Sequence, residues 1–164
     1  MFRLFLHLSI SKQQLALFSD ESASVPVKTY SVSTALNGIG AEKNSGKTPV
    51  GRHIVRAKIG AGQPLNAVFV GRRPTGEIYN EALAKAHPKR DWILTRILWL
   101  SGLEKGVNRL GQVDTMQRYI YLHGTPDSEP MGEPLSHGCV RMRNTDILDL
   151  FDRIPAGTEM VIEA

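Results

Sequence analysis

The sequence predicts a mostly β, turn-rich fold with helices in two places. Its 164 residues include 15 glycines and 9 prolines, which cluster between short apolar runs, as in folds built from strands and tight turns. Several runs alternate apolar and polar residues, the pattern of a strand with one buried face. A chain of this length can bury a core without disulfides, so we expect one domain over residues 1–164.

Eight segments carry the strand pattern, and turn-forming residues separate them. The first two are joined by the polar turn Ser11–Gln13, and a loop rich in glycine and asparagine lies at 37–51. The predicted strands are 2–10, 14–18, 25–33, 52–59, 67–70, 119–122, 139–142 and 159–162.

The middle of the chain, at about 72–118, differs in character from the rest and is predicted to be partly helical. Residues 81–87 predict a short helical turn, and Asp91 can cap a longer helix over 92–100. Apolar residues cover more than one face of 92–100, so we expect this helix to pack between the sheet and a flap or partner. A membrane-surface helix is the alternative, although the basic polar face of such helices is missing.

A second helix is predicted near the C-terminus. Asn144 or Thr145 can cap a helix from Asp146 to Ile154, and Pro155 and Gly157 follow it. Its inner face is expected to contain Ile147, Leu148, Leu150 and Phe151.

Charge and hydropathy exclude some classes of function. The net charge is +4, and no run of five or more like charges marks a nucleic-acid surface. No segment reaches the roughly 18 apolar residues of a membrane span. The opening residues hint at a signal peptide, but polar residues interrupt them and no cleavage site follows. We expect a cytoplasmic protein as written, or a periplasmic one if a native leader is missing.

Cys139 is the only cysteine, which excludes an internal disulfide and a C-x-x-C motif. It ends the run Ser-His-Gly-Cys, and His123 stands at the end of a predicted strand sixteen residues earlier. A cysteine is nucleophilic as the thiolate, so it needs a base or a positive environment. The pattern indicates a catalytic Cys139 with a lowered thiol pKa.

The neighbours of Cys139 suit such a nucleophile. Gly138 permits a backbone conformation that directs its amide and that of Cys139 at a developing oxyanion. On an extended segment, Arg141 lies on the same face as Cys139. Two alternatives remain: a buried structural cysteine, and a zinc site with too few thiolates and irregular spacing. The zinc site would use His53, His123, His137 and Cys139.

These motifs resemble the catalytic domain of the L,D-transpeptidase (YkuD-type) family. The resemblance rests on two motifs, Tyr121-Leu-His-Gly-Thr125 and Ser136-His-Gly-Cys-Val-Arg141. Thr48-Pro-Val-Gly51 resembles the family's Thr-Pro-x-Gly turn, and the opening hairpin and 28–34 are also similar. The resemblance runs from about residue 4 to 162. It implies a β-sandwich of two mixed sheets, and the region at about 72–118, with its helix, looks like an insertion over the groove of such a domain.

The resemblance also implies roles for single residues. Cys139 is expected to be the nucleophile and His123 the general base, with the Gly124 carbonyl orienting the imidazole. His137 and Gly138 are expected to line the oxyanion and substrate pocket together with Cys139. Substrate contacts are expected from Ser136, Tyr121 and Arg141.

Arg141 departs from those members of the family that carry asparagine two residues after the cysteine. A guanidinium there can hold a carboxylate through two hydrogen bonds, so we expect it to bind the free carboxylate of the donor. The alternative is a structural ion pair with Asp146 or Glu133.

The implied reaction is acyl transfer from a peptidoglycan tetrapeptide stem or its precursor. Cys139 attacks the L,D peptide bond before the terminal D-Ala, and an amine then takes the acyl group from the thioester. No metal or organic cofactor is needed, and a carbapenem is expected to be a covalent inhibitor. With water as acceptor the chain would be an L,D-carboxypeptidase. A non-catalytic cell-wall-peptide binding module is the alternative from another class.

Overall fold

A computed structural model describes residues 3–164, which form ten strands, two α-helices and one 3₁₀ turn. The first five strands are β1 (Phe5–Ser9), β2 (Gln14–Phe18), β3 (Lys28–Ser33), β4 (Gly51–Ile59) and β5 (Ala67–Val70). The others are β6 (Arg73–Ile78), β7 (Ile93–Gly102), β8 (Tyr121–Gly124), β9 (Val140–Met142) and β10 (Glu159–Glu163). The helices are α1 (Glu81–Ala86) and α2 (Asn144–Arg153), and the 3₁₀ turn spans Gly111–Val113.

The mostly β prediction is confirmed, and each of the eight predicted strands overlaps an observed one. The bounds of β2 and β5 are those expected, whereas β3 begins three residues later than predicted. Residue 2 of the first predicted strand lies outside the described residues. The sequence analysis did not predict β6, whose side chains are mostly exposed and follow no alternation of buried and exposed positions.

The strands form one mixed sheet that closes on itself. Its order is β4-β10-β1-β2-β3-β9-β8-β7-β5-β6, and β4 also pairs with β7, so the first eight strands make a ring. The β1–β10 and β8–β9 pairs are parallel. The expected sandwich of two mixed sheets is corrected to one closed sheet, because β7 pairs with β4 on one edge and β8 on the other.

The helix predicted at 92–100 is wrong, because this segment forms the strand β7. Its apolar side chains point two ways: Leu98 and Leu100 join the main core, whereas Ile97 and Trp99 join a second apolar cluster. A strand buried on both faces reads as a continuous apolar run, as a buried helix does. A flap-covered helix and a membrane-surface helix are both excluded for this segment.

The region 72–118 contributes to the sheet through β6 and β7, and its helical part is α1. The short helical turn predicted at 81–87 is confirmed, and the Asn80 side chain caps it by accepting a 2.8 Å bond from the Leu83 amide. Within residues 3–164, neither helix has the length and apolar character needed to cross a membrane.

The helix α2 packs behind the strands that carry the candidate site. It contacts β7 and β8, and it buries Ile147, Leu150 and Phe151, as the sequence predicts. Leu148 is only half-buried and lies at the edge of that face. The burial of this apolar face holds β7 and β8 against α2.

Candidate active site

Two parallel strands, β8 and β9, bring the sequence-predicted site residues together. His123 lies in β8 opposite Arg141 of β9, and Cys139 immediately precedes β9. Because side chains alternate along a strand, Tyr121 and His123 share a face with Cys139 and Arg141. All four line one cavity of about 270 Å³, whose wall also includes Asp91, Arg118 and His137.

A larger cavity, of about 640 Å³, lies between the start of β1 and the loop before β10. It is lined by residues 3–5, 20–21 and 155–159, none of which is a cysteine or a histidine. The smaller cavity is therefore the candidate active site, because it holds Cys139 and His123, the expected nucleophile and base.

The imidazole of His123 is held in one orientation. Its side chain is buried, and Nδ1 lies 2.6 Å from the carbonyl oxygen of Gly124. Because that carbonyl can only accept, Nδ1 carries the proton and Nε2 is left as an acceptor. Burial lowers the pKa of His123, so the ring is neutral at pH 7 and able to take a proton.

A buried polar network surrounds the end of β8, next to Gly124. Asn144, at the start of α2, donates a 2.8 Å bond to the Thr125 carbonyl and accepts a 2.6 Å bond from the Thr95 hydroxyl. Thr95 has a φ of +73°, unusual for a β-branched residue, and lies in a bulge of β7 opposite His123 and Gly124. Gly124 packs so closely against Asn144 that a side chain would not fit.

The thiol of Cys139 lies between backbone groups of the segment that leads into β8. Sγ accepts a 3.3 Å bond from the Tyr121 amide and donates one of 3.3 Å to the Tyr119 carbonyl. Burial raises the pKa of the Cys139 thiol to about 12; Asp91 also raises it, while the Tyr121 amide and two arginines lower it. The lowered thiol pKa expected from the sequence is therefore wrong for the free protein.

His123 and Cys139 are thus both neutral at pH 7. Each is held neutral by the same cause, burial, which disfavours the charged form. A thiol in this state attacks a carbonyl only if the imidazole removes its proton during the attack.

Ser136 fixes the backbone around Cys139. Its hydroxyl donates to the Cys139 carbonyl and accepts a 3.2 Å bond from the Gly138 amide. That amide therefore points at Ser136 and not at an oxyanion, which corrects the predicted use of the Gly138 amide. Ser136 lines the cavity mainly as a support of the nucleophile's backbone.

Gly138 and Thr48 meet behind the thiol. The φ of Gly138 is +130°, a conformation that L side chains rarely adopt, and a Cβ would press on Ile120 and Lys47. The Thr48 hydroxyl donates a 2.9 Å bond to the Gly138 carbonyl and accepts one of 3.0 Å from the Ala35 amide. The Thr-Pro-x-Gly turn thus supports the Ser-His-Gly-Cys segment.

His137 and Arg141 lie on opposite sides of Asp91. The His137 side chain is 74% exposed at the cavity mouth, with Nδ1 3.5 Å from Asp91. Arg141 is 11% exposed, and its guanidinium lies 3.5 Å from Asp91 and 3.7 Å from Glu129. Arg141 is ion-paired, but with other carboxylates than the Asp146 and Glu133 suggested by the sequence.

Tyr121 forms part of the cavity wall. Its hydroxyl accepts a 3.0 Å bond from Arg72, and its ring meets Trp99 edge-on at 5.8 Å between centroids. Its backbone amide, not its hydroxyl, contacts the nucleophile.

Comparison with known proteins places this geometry in a family. Residues 4–162 match the family defined by the L,D-transpeptidase catalytic domain, YkuD. The chain belongs to the L,D-transpeptidase (YkuD) family. A putative L,D-transpeptidase YqjB of Bacillus subtilis is 44% identical over 45 residues, 27% of this chain and 26% of that protein. A probable L,D-transpeptidase YbiS of Escherichia coli is 46% identical over 43 residues, 26% of this chain and 14% of that protein.

Solved structures share the fold of this family member. An L,D-transpeptidase from Mycobacterium smegmatis superposes with a TM-score of 0.56 at 13% identity, covering 99% of this chain and 59% of that one. L,D-transpeptidase 3 from Mycobacterium tuberculosis, in complex with a faropenem-derived adduct, gives 0.57 at 16% identity, covering 99% and 61%. This chain therefore covers about three fifths of each of those two structures. Its alignments with the two sequence relatives cover 26% and 14% of their lengths.

The zinc alternative finds no support in the positions of its four residues. Both ring nitrogens of His53 are engaged, Nδ1 with the Gly51 carbonyl at 3.0 Å and Nε2 with Thr115 at 2.9 Å. Across residues 3–164, no three His, Cys, Asp or Glu side chains are grouped as metal ligands would be.

Three residues of this transpeptidase-family site were not assigned a role from the sequence. Thr48 belongs to the Thr-Pro-x-Gly turn, so its place in that motif is a signal for its support of Gly138. Asp91 was interpreted as a helix cap, and Arg118 carried no signal at all. Both reach the cavity through folding of chain segments that look unremarkable in the sequence.

Thr48→Val should destabilise the protein by roughly 2 kcal/mol or more. The valine keeps the shape but leaves the Gly138 carbonyl and the Ala35 amide without their partner, and each buried unpaired group costs about 1–3 kcal/mol. Thr48→Ser keeps the hydroxyl and serves as the matched control. Urea unfolding of both variants measures the difference, and equal stability of the two would contradict the supporting role.

Alkylation of Cys139 by iodoacetamide should be slow at pH 7.5 and should rise about tenfold per pH unit from pH 8 to 10. A thiol with a pKa of about 12 is almost entirely protonated below that range. The same chain in urea is the control, because its exposed thiol should react as an ordinary cysteine. A rate that levels off below pH 8 would show a stabilised thiolate instead.

Proposed function

We propose that the chain is a cysteine-dependent L,D-transpeptidase that acts on peptidoglycan tetrapeptide stems or their precursors. The observation that carries the proposal is the parallel β8–β9 pair, which puts Cys139 and an oriented His123 in one cavity. Membership of the family supports the reaction class. Nucleophile, base and base-orienting carbonyl correspond to the parts of a catalytic triad.

Acylation begins with the Cys139 thiol and the His123 imidazole both neutral. Sγ attacks the carbonyl carbon of the stem's third residue while Nε2 of His123 takes the thiol proton. The carbon–nitrogen bond to D-Ala then breaks, and the imidazolium returns the proton to the departing amine. The products are free D-Ala and a thioester at Cys139, with no change in oxidation state.

Deacylation reverses these roles of His123. An amine of a second stem, or a D-amino acid, attacks the thioester and loses a proton through the imidazole, while Cys139 leaves as the thiol. The result is a new amide bond, formed as the carbon–sulfur bond breaks. If water attacks, the product is a free tripeptide acid and the protein is an L,D-carboxypeptidase.

The chain's own first strands belong to the proposed catalytic unit. β1 pairs with β10 and with β2 inside the ring. A cytoplasmic site of action stays a prediction.

Cys139→Ser and His123→Asn should each lower turnover of a disaccharide-tetrapeptide at least a hundredfold, because nucleophile and base act in one step. The assay is mass spectrometry of products with and without an amine acceptor. His87→Asn, at an exposed histidine beyond α1, is the matched control and should keep full turnover.

The same assay separates the alternatives. A cross-linked or exchanged product indicates a transpeptidase, and tripeptide alone indicates a carboxypeptidase. A wild-type chain that binds the stem and releases no D-Ala is a binding module, and Cys139→Ser turnover within tenfold of wild type excludes Cys139 as the nucleophile.

Imipenem should acylate Cys139, because attack on the strained β-lactam carbonyl opens the ring and leaves a thioester. A fold relative, the L,D-transpeptidase LdtMt1, has been solved in complex with imipenem. Intact-mass measurement should show one adduct on the wild type and none on Cys139→Ser. An unmodified wild-type mass after prolonged incubation would contradict the prediction.

A further inference from the structure

Arg118 is a cation of the active-site cavity that is held only by neutral groups. Nη2 donates to the Lys47 carbonyl at 2.6 Å and to the Ser45 hydroxyl at 3.3 Å, and Nη1 donates to the Gly40 carbonyl at 3.2 Å. Within the described part of the chain, no carboxylate lies within 4.0 Å of this guanidinium. The cavity wall thus carries one positive charge without a counterion.

Arg141, the other arginine of the cavity, differs in this respect. Asp91 and Glu129 flank its guanidinium. A substrate carboxylate at Arg141 would have to compete with two carboxylates of the protein. At Arg118 it would meet no such competition.

The guanidinium of Arg118 is fixed in position before any ligand arrives. Three hydrogen bonds to the 40–47 loop hold it, and a guanidinium has five N–H donors. Two donors are therefore left without a partner among residues 3–164. These are Nε–H and one hydrogen of Nη1, which point in different directions, so an oxygen of a carboxylate can accept from either one.

The position of Arg118 limits which carboxylate it can reach. It directly precedes Tyr119, whose carbonyl contacts the Cys139 thiol, and both line a cavity of only about 270 Å³. Such a volume is at the small end for ligand sites, so it holds the groups next to the scissile bond. In a tetrapeptide stem, the free carboxylate nearest that bond on the leaving side belongs to the terminal D-Ala.

We propose that Arg118 binds the C-terminal carboxylate of the donor's leaving D-Ala, and so selects stems that end one residue beyond the scissile bond. This inference rests on the proposed transpeptidase function and adds the feature of the donor that the site requires. It moves the carboxylate contact predicted for Arg141 to a different arginine.

The electrostatics of the cavity agree with this assignment. Burial lowers the pKa of Arg118, and a negative charge on Cys139, present only in the thiolate, would raise it. A bound carboxylate would likewise favour the charged guanidinium. It would do so without removing the bonds that hold Arg118 to the loop.

The test compares two donors of nearly equal size: the tetrapeptide acid and the same peptide ending in D-alaninamide. Wild type should prefer the acid by roughly 10- to 100-fold in kcat/KM, the range of a hydrogen-bonded charge contact. Arg118→Gln should bring this ratio close to one. Arg56→Gln, which removes an exposed cation from β4 outside the cavity, should keep the wild-type ratio.

Two further variants separate charge recognition from support of the 40–47 loop. Arg118→Lys keeps the charge and should retain part of the acid preference. Arg141→Gln should retain the full preference for the acid. If Arg118→Gln does not fold, the comparison is made between Arg118→Lys, which should show a reduced preference, and Arg141→Gln, which should not. A loss of preference in Arg141→Gln alone would overturn the proposal.

The remaining outcomes are also decisive. Equal use of both donors by wild type, or an unchanged ratio in Arg118→Gln, contradicts the inference and leaves the proposed function intact. A wild-type chain that releases neither D-Ala nor D-alaninamide contradicts the proposed function itself.

Discussion

The parallel pairing of β8 with β9 is the interaction on which the site depends. Its register sets His123 opposite Arg141 and places Cys139 one step before the pair begins. Leu122 and Val140 of the same two strands are fully buried in the core, so a slip of one residue would turn apolar side chains outward and the catalytic ones inward. Core packing thereby fixes the relation between nucleophile and base.

Burial is the second constraint, and it favours the neutral form of both Cys139 and His123. It raises the pKa of the Cys139 thiol and lowers that of His123, so the free protein avoids an ion pair in a closed cavity. Arg118 and Arg141 lower the thiol pKa in part, which reduces the cost of charge when the proton moves. Both groups are thus neutral at rest, and the proposed reaction begins with proton transfer between them.

Local sequence pattern predicted those parts of the fold that local geometry determines. Alternation predicted β2 with its observed bounds, and the Ser-His-Gly-Cys motif directed attention to Cys139, which lines the candidate site. The helix predicted for 92–100 was wrong because a continuous apolar run fits a buried helix and a buried strand equally well. Its state is decided by β4 and β8, which are distant in sequence and border it on both edges. The bulge at Thr95 further hides its alternation.

The two arginines of the cavity, Arg118 and Arg141, show that local sequence pattern is also a limited guide to function. Arg141 attracted attention because it stands two residues from Cys139, yet the strand that brings it there also brings it to Asp91 and Glu129. Arg118 has no such place in a motif, and only the folded chain shows that loop carbonyls fix it beside the thiol. Proximity in sequence identifies which cations can reach a site. The counterions supplied by the fold decide which of them remains available to a substrate.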